Sequence, residues 1–214
     1  MDQFKSAIRR FLPWICAMVL VIFYTVGMFG ITGAHPEKFV PLSWLILLIS
    51  VAMIVLPMEK LSSGEAVVMF AIMVLGFIVE VIGVMTGALF GEYHYGASLG
   101  WKFYEVPLVI GVNWLIMVFA AHAVAGIFFS HWLLLSLSSA LLMVGMDYLI
   151  EPVAMQLDFW QWKDDVVPFR NYAAWFVFGF LFQLMFTKAI RPGRNAVAIL
   201  LYALMALFFL VVVR

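Results

Sequence analysis

The chain has 214 residues, of which 66% are hydrophobic and 11% charged, and its mean hydropathy is +1.11. So large an apolar excess excludes an ordinary soluble domain and calls for lipid outside and packed helices inside. Twelve basic and twelve acidic residues cancel to a net charge of zero, and with no basic stripe to meet phosphates there is no nucleic-acid partner.

A basic patch, Lys5, Arg9 and Arg10, precedes an apolar stretch that reaches Ile31. That stretch is too long for a signal-peptide core and reads as a first membrane helix. Apolar runs predict seven spans, near 11–31, 41–57, 66–90, 106–128, 131–150, 169–187 and 195–213. Backbone groups have no water partner in lipid, so each run is helical. The expected fold is an all-α polytopic membrane bundle of about seven transmembrane helices, one domain over residues 1–214. The breaks agree: His35-Pro36-Glu37-Lys38, the stretch from Pro57 to Glu65, and Arg191-Pro192-Gly193-Arg194. The lone cysteine, Cys16, allows no internal disulfide and no thiolate metal site.

Lys5, Arg9, Arg10, Lys60, Lys188, Arg191 and Arg194 fall on the N-terminal side of the bundle. Lys38, Lys102, Lys163, Arg170 and Arg214 fall on the other. The positive-inside rule then puts the N-terminus in the cytoplasm of a multi-pass cell-membrane protein. The loops 91–105 and 151–168 share the opposite side.

In the third span Gly76, Glu80, Gly83, Gly87 and Gly91 step by three or four and share a helical face. Small residues at that spacing let helices approach closely. Glu80, mid-span on that face, is either paired or functional. The next loop, Glu92-Tyr93-His94-Tyr95, is either an interfacial aromatic belt or part of a site. His94 alone is no metal site, and His122 and His131 lie at the far end of the fourth span. That span opens Glu105-Val106-Pro107, with Pro107 suited to a first helical turn. Asn113 and Trp114 lie two turns further in; an intramembrane Asn bonds a neighbouring helix or serves a site.

The stretch Asp147–Trp175 stands out. It holds five of the twelve acids, Asp147, Glu151, Asp158, Asp164 and Asp165, and three of the eight tryptophans, Trp160, Trp162 and Trp175. Carboxyl groups are expensive in hydrocarbon unless paired or used, so this is the candidate site. Asp147 and Glu151 are four apart, on one helical face. Pro152 is expected to end the helix there, and membrane sites often use broken helix ends. Pro168 opens the sixth span. Arg170 and Asn171 follow in its first turn, where Arg170 is placed to pair with one carboxylate while another stays neutral.

Three blocks within residues 76–180 resemble the CruF-type carotenoid hydratases, a membrane family of carotenoid biosynthesis. They are Glu80-Val-Ile-Gly83 through Glu92-Tyr93-His94-Tyr95, Leu99-Gly100 through Val106-Pro107 to Trp114, and Asp147 to Trp175 with Trp160-x-Trp162, Val167-Pro168 and Asn171. The chain has Glu151-Pro152 where the family pattern has Asp-Pro, and Glu105-Val-Pro where it has Gly-Val-Pro. The resemblance implies a hydro-lyase that adds water across the terminal double bond of an acyclic carotenoid end to give a tertiary alcohol. The substrate would be of the lycopene, gamma-carotene or bacterioruberin-precursor type. The implied surroundings are membrane lipid and other carotenoid-pathway enzymes.

The residues suit that chemistry. Protonating a trisubstituted alkene needs an acid that holds its proton at neutral pH, which an apolar site favours. A second carboxylate orients the water. Asp147 or Glu80 is the expected donor, and Glu151 or Glu92 is expected to manage the water. Tyr93, Tyr95, Trp114, Trp160, Trp162 and Trp175 offer aromatic faces to a carbocation, with Asn113, Arg170 and Asn171 as further substrate contacts. The reaction needs neither metal nor redox cofactor. Three alternatives share these residues. One is a carotenoid cyclase. Another is a Mg-dependent prenyl transferase or lyase using Asp147, Glu151 and Asp164-Asp165. The third is a proton-coupled transporter with Glu80 and Asp147 as relays.

Overall fold

The computed structural model describes residues 2–58, 61–190 and 195–213, with side chains from Arg10 onward. Seven helices follow in order: α1 (Asp2–Thr32), α2 (Ser43–Val55), α3 (Ser63–Thr86), α4 (Val109–Ala125), α5 (Trp132–Gln156), α6 (Phe169–Ala189) and α7 (Ala196–Val212). Among the described residues, five candidate spans are long and apolar enough to cross a membrane, and α4 and α7 are shorter apolar helices. The chain is an all-α polytopic membrane bundle. The break at Arg191–Arg194 lies outside the described residues, as do Lys60 and Arg214 of the charge count.

α4 is apolar all round and buried almost throughout, as expected of a central helix. It packs against α2, α3, α5, α6 and α7. α3 reaches it closely because Gly76 has no side chain: a Cβ there would stand 2.6 Å from the Trp114 ring. The expected small-residue face is therefore present at Gly76, Glu80 and Gly83, all buried. Gly87 and Gly91 do not extend it. α3 starts at a capping box between Ser62 and Glu65 and stops at Thr86, because Gly87 takes the left-handed conformation (φ 64°) that closes a helix.

Two further boundaries differ from expectation. Val106 and Pro107 do not open α4. They form β3 (Val106–Pro107), paired antiparallel with β2 (Lys102–Phe103), and the two-residue turn between them puts Tyr104 and Glu105 at φ 49° and 62°. Positive φ at both central positions matches the twist of a tight hairpin. Pro152, in turn, does not end α5, which runs on to Gln156. A mid-helix proline costs about 3 kcal/mol. Here its ring lies on the exposed face while Glu151, Val153 and Ala154 on either side are buried. Packing of α5 against α6 and α4 offsets the local preference.

The loops after α3 and α5 meet. β1 (Tyr93–Tyr95) pairs antiparallel with β4 (Trp160–Trp162), with Tyr93 opposite Trp162 and Tyr95 opposite Trp160. The two loops therefore do lie at one end of the bundle.

Candidate active site

Strand alternation aims the aromatics. Side chains on a strand point to opposite faces in turn, so Tyr93 and Tyr95 turn inward and are buried while Glu92 and His94 are exposed. The paired strand supplies Trp160 and Trp162 against them, with ring centroids 4.8 Å apart for Tyr93–Trp162 and 5.9 Å for Tyr95–Trp160. Beneath this clasp, three carboxyl groups from two helices enter one small hollow. Its walls include Glu80 of α3, Asp147 and Glu151 of α5, Asn113 of α4, and Asn171 and Trp175 of α6.

Glu80 is fully engaged. Its Oε2 accepts from the hydroxyls of Tyr93 (2.6 Å) and Tyr95 (2.8 Å), and its Oε1 accepts from Trp114 Nε1 (3.0 Å). Trp114 stacks on Trp175 with centroids 4.1 Å apart and planes 12° from parallel. Burial, and after it the neighbouring Glu80, push the Tyr93 and Tyr95 phenols well above their ordinary range.

Glu151 is engaged in the same way. Its Oε2 accepts from Trp160 Nε1 (2.9 Å) and Trp162 Nε1 (2.6 Å), and its Oε1 accepts from Asn171 Nδ2 (3.1 Å). Asn171 Nδ2 also donates to Asp147 Oδ2 at 2.7 Å. One amide thus bridges both acids of α5. Asp147 Oδ1 differs from every other carboxyl oxygen in the hollow. It is buried, and among the described residues it has no hydrogen-bond partner. No Lys, Arg or His lines the hollow, so its acids are held by neutral dipoles alone.

Two expected members are elsewhere. Glu92 is exposed and pairs with Lys163 at 2.7 Å on the surface, because strand alternation turns it away from Tyr93. Arg170 is exposed and forms no ion pair among the described residues. One residue further along the helix, Asn171 takes the inward position and does the bridging. Asp164 and Asp165 are exposed in a turn at Lys163–Asp165 and line neither the hollow nor the cleft beside it. Asn113 lines the hollow and makes no side-chain hydrogen bond among the described residues. No group of three or more His, Cys, Asp or Glu among the described residues is arranged to hold a metal ion.

Sequence reasoning passed over a second feature. An apolar cleft of about 210 Å³ lies beside the hollow, between α1, α2 and α7. Ile110, Asn113 and Trp160 line both spaces. Nothing in the apolar runs of α1 and α7 separates cleft-facing residues from lipid-facing ones.

A family model described as carotenoid biosynthesis protein matches residues 41–214. The chain belongs to this family. All the hollow's residues lie within the matched span. The chain is also 27% identical over 145 residues to a bisanhydrobacterioruberin hydratase of Haloarcula japonica, across 62% of this chain and 47% of the relative. The chain therefore spans about half the length of the curated relative it matches. No solved structure matches it.

Proposed function

We propose that this protein is a carotenoid hydratase that adds water across the terminal double bond of an acyclic carotenoid end. The similarity to a hydratase supports the reaction class. The single observation that carries the mechanism is Asp147 Oδ1, buried, unpartnered and set among aromatic rings. Glu80 and Glu151 each already accept three hydrogen bonds. Among the described residues of the hollow, only Asp147 has a carboxyl oxygen to which no neighbour donates.

In this reading the Asp147 carboxyl gives its proton to the less substituted alkene carbon, and the π electrons form the new C–H bond. The positive charge falls on the tertiary carbon. The face of Trp160 stabilises that charge without capturing it, and Trp162, Trp175 and the Tyr93–Tyr95 pair line the hollow behind it. A water held between Asp147 and Glu151 adds to the cation. Its extra proton returns to a carboxylate, restoring the acid and leaving a tertiary alcohol. Asn171 fixes the spacing of the two acids, and Glu80 is a positioning residue that holds the Tyr93–Tyr95 strand and Trp114. The positive-inside count puts the hollow toward the outer side of the cell membrane.

Expression in a lycopene-producing bacterium tests this. Extracted pigment is expected to gain the mass of one water, and Asp147→Asn to abolish the gain while folded protein persists. General acids contribute about 10²–10⁴-fold, so the loss should be at least 100-fold. A product of unchanged mass and altered retention would mean a cyclase instead. Unchanged pigment across several acyclic substrates would end the hydratase reading.

A further inference from the structure

The acidic hollow is too small for the substrate. Its volume is about 20 Å³, against the roughly 10–15 Å³ that one water needs. It holds a water and little else. A branched isoprenoid end does not fit there. The neighbouring cleft, at about 210 Å³, is some ten times larger and lined almost wholly by hydrocarbon.

The two spaces adjoin along one wall. Ile110, Asn113 and Trp160 belong to both. On the hollow side Trp160 is held by its indole N–H to Glu151 at 2.9 Å and by edge-on packing against Tyr95, and it also lines the cleft. The other end of the cleft opens on the outer face of the bundle, where Phe23, Val26, Leu42 and Leu45 are exposed. In a membrane bundle such a surface faces lipid. Along α1 the cleft runs from Phe23 to Ile31, about 12 Å at the helical rise. That is well short of the roughly 30 Å of bilayer hydrocarbon, so the cleft takes one end of a long polyene and leaves the rest in lipid.

Resting on the hydratase reading for its occupant, we infer that the cleft between α1, α2 and α7 is the substrate's binding channel. The end of an acyclic carotenoid enters it sideways from the bilayer and presents its last double bond at the Asn113–Trp160 wall. Water occupies the hollow on the other side. Reaction takes place where the cleft and the hollow meet beside Asn113 and Trp160, so hydrocarbon and water reach the reacting carbon from different sides. The Asn113 amide, which makes no other side-chain hydrogen bond among the described residues, stands where the new hydroxyl forms.

Gly27 gives a clean test. It lines the cleft, and a Cβ there meets only the Phe208 ring at an ordinary 3.6 Å. Gly27→Phe therefore adds bulk to the channel from a position where a Cβ itself is accommodated. Ile46→Trp does so from α2 on another wall. Val67→Phe, on an exposed position of α3 outside the cleft, is the control. Each is built on the Asp147→Asn chain and expressed with lycopene. Pigment bound per folded, monodisperse protein is read by visible absorbance after detergent purification.

Asp147→Asn alone and Val67→Phe should retain pigment. Gly27→Phe and Ile46→Trp should each lose at least ten-fold. Full retention in both cleft variants, or no pigment on any chain, overturns the channel. If the otherwise unaltered protein never hydrates lycopene yet binds it, and both cleft variants lose it, the hydratase reading fails and the channel stands.

Discussion

Glu80→Ala separates a scaffold from a reagent. Three donors converge on this carboxyl, from Tyr93, Tyr95 and Trp114 at 2.6, 2.8 and 3.0 Å. All four residues are buried. Truncation to alanine leaves three buried donors without acceptors, at about 1–3 kcal/mol each. Even the lower end totals about 3 kcal/mol, a large share of a native stability of about 5–15 kcal/mol. Glu80→Gln should behave differently. Its carbonyl can face Trp114 Nε1 while its amide hydrogens reach the two phenol oxygens, whose hydroxyls turn round to accept. The three heavy-atom contacts survive while two hydroxyl hydrogens lose their acceptor, so the cost falls between that of the original and that of the alanine variant. Thermal or denaturant unfolding of the detergent-purified variants measures both, and hydration of lycopene in cells reports whether Gln retains function. The scaffold assignment predicts a severely destabilised Ala variant and an active Gln variant. An Ala variant within about 0.5 kcal/mol of the original, the scale of an ordinary surface change, would refute the reasoning.

The remaining predictions are simpler. Glu105 sits at φ 62° in the hairpin turn, so Glu105→Gly relieves a strain of about 1–2 kcal/mol and should leave stability unchanged or raised in the same unfolding assay. Tyr93 and Tyr95 are held un-ionised by burial and by Glu80. Their contribution to stability is therefore complete below pH 10 and lost as pH rises through their raised folded values. A Tyr93→Phe/Tyr95→Phe variant compared spectroscopically with the original should show no phenolate from these two rings near pH 10 while the protein is folded; two phenols titrating there would contradict their burial. Glu92→Gln and Arg170→Ala should leave hydration within two- to three-fold of the original, since both side chains are exposed and outside the hollow; a hundred-fold loss from either would restore it to the site.

Much of this was legible in the chain and some was not. Long apolar runs specify spans because lipid leaves the backbone no alternative, so all seven helices appear where expected. That Asp147 and Glu151 share a face followed from a four-residue step, and the inward position of Glu80 from the glycine-lined face of α3. Local rules failed at Pro152, where burial on both sides of α5 outweighs the residue's preference. They failed again at Glu92 and Arg170. Each neighbours an inward residue, and a shift of one position on a strand or helix turns a side chain away. The signal for the clasp was present in Tyr93-His94-Tyr95 and Trp160-Gln161-Trp162, two aromatic-polar-aromatic triplets with the period of a strand. What no local pattern holds is that the triplets pair with each other across 64 intervening positions, residues 96–159, by their register. The cleft was invisible for a different reason: an apolar side chain facing a channel and one facing lipid are the same residue.

The acids of α5 have their donors in later parts of the chain. Trp160, Trp162 and Asn171 are all synthesised after Asp147 and Glu151. A ribosome feeding this protein into a bilayer therefore delivers two carboxyl-bearing turns before the groups that hydrogen-bond them, and an unpaired acid inside a span is costly to insert. Biogenesis of this region is consequently a joint event, in which the fifth helix settles only once the sixth has emerged to accompany it.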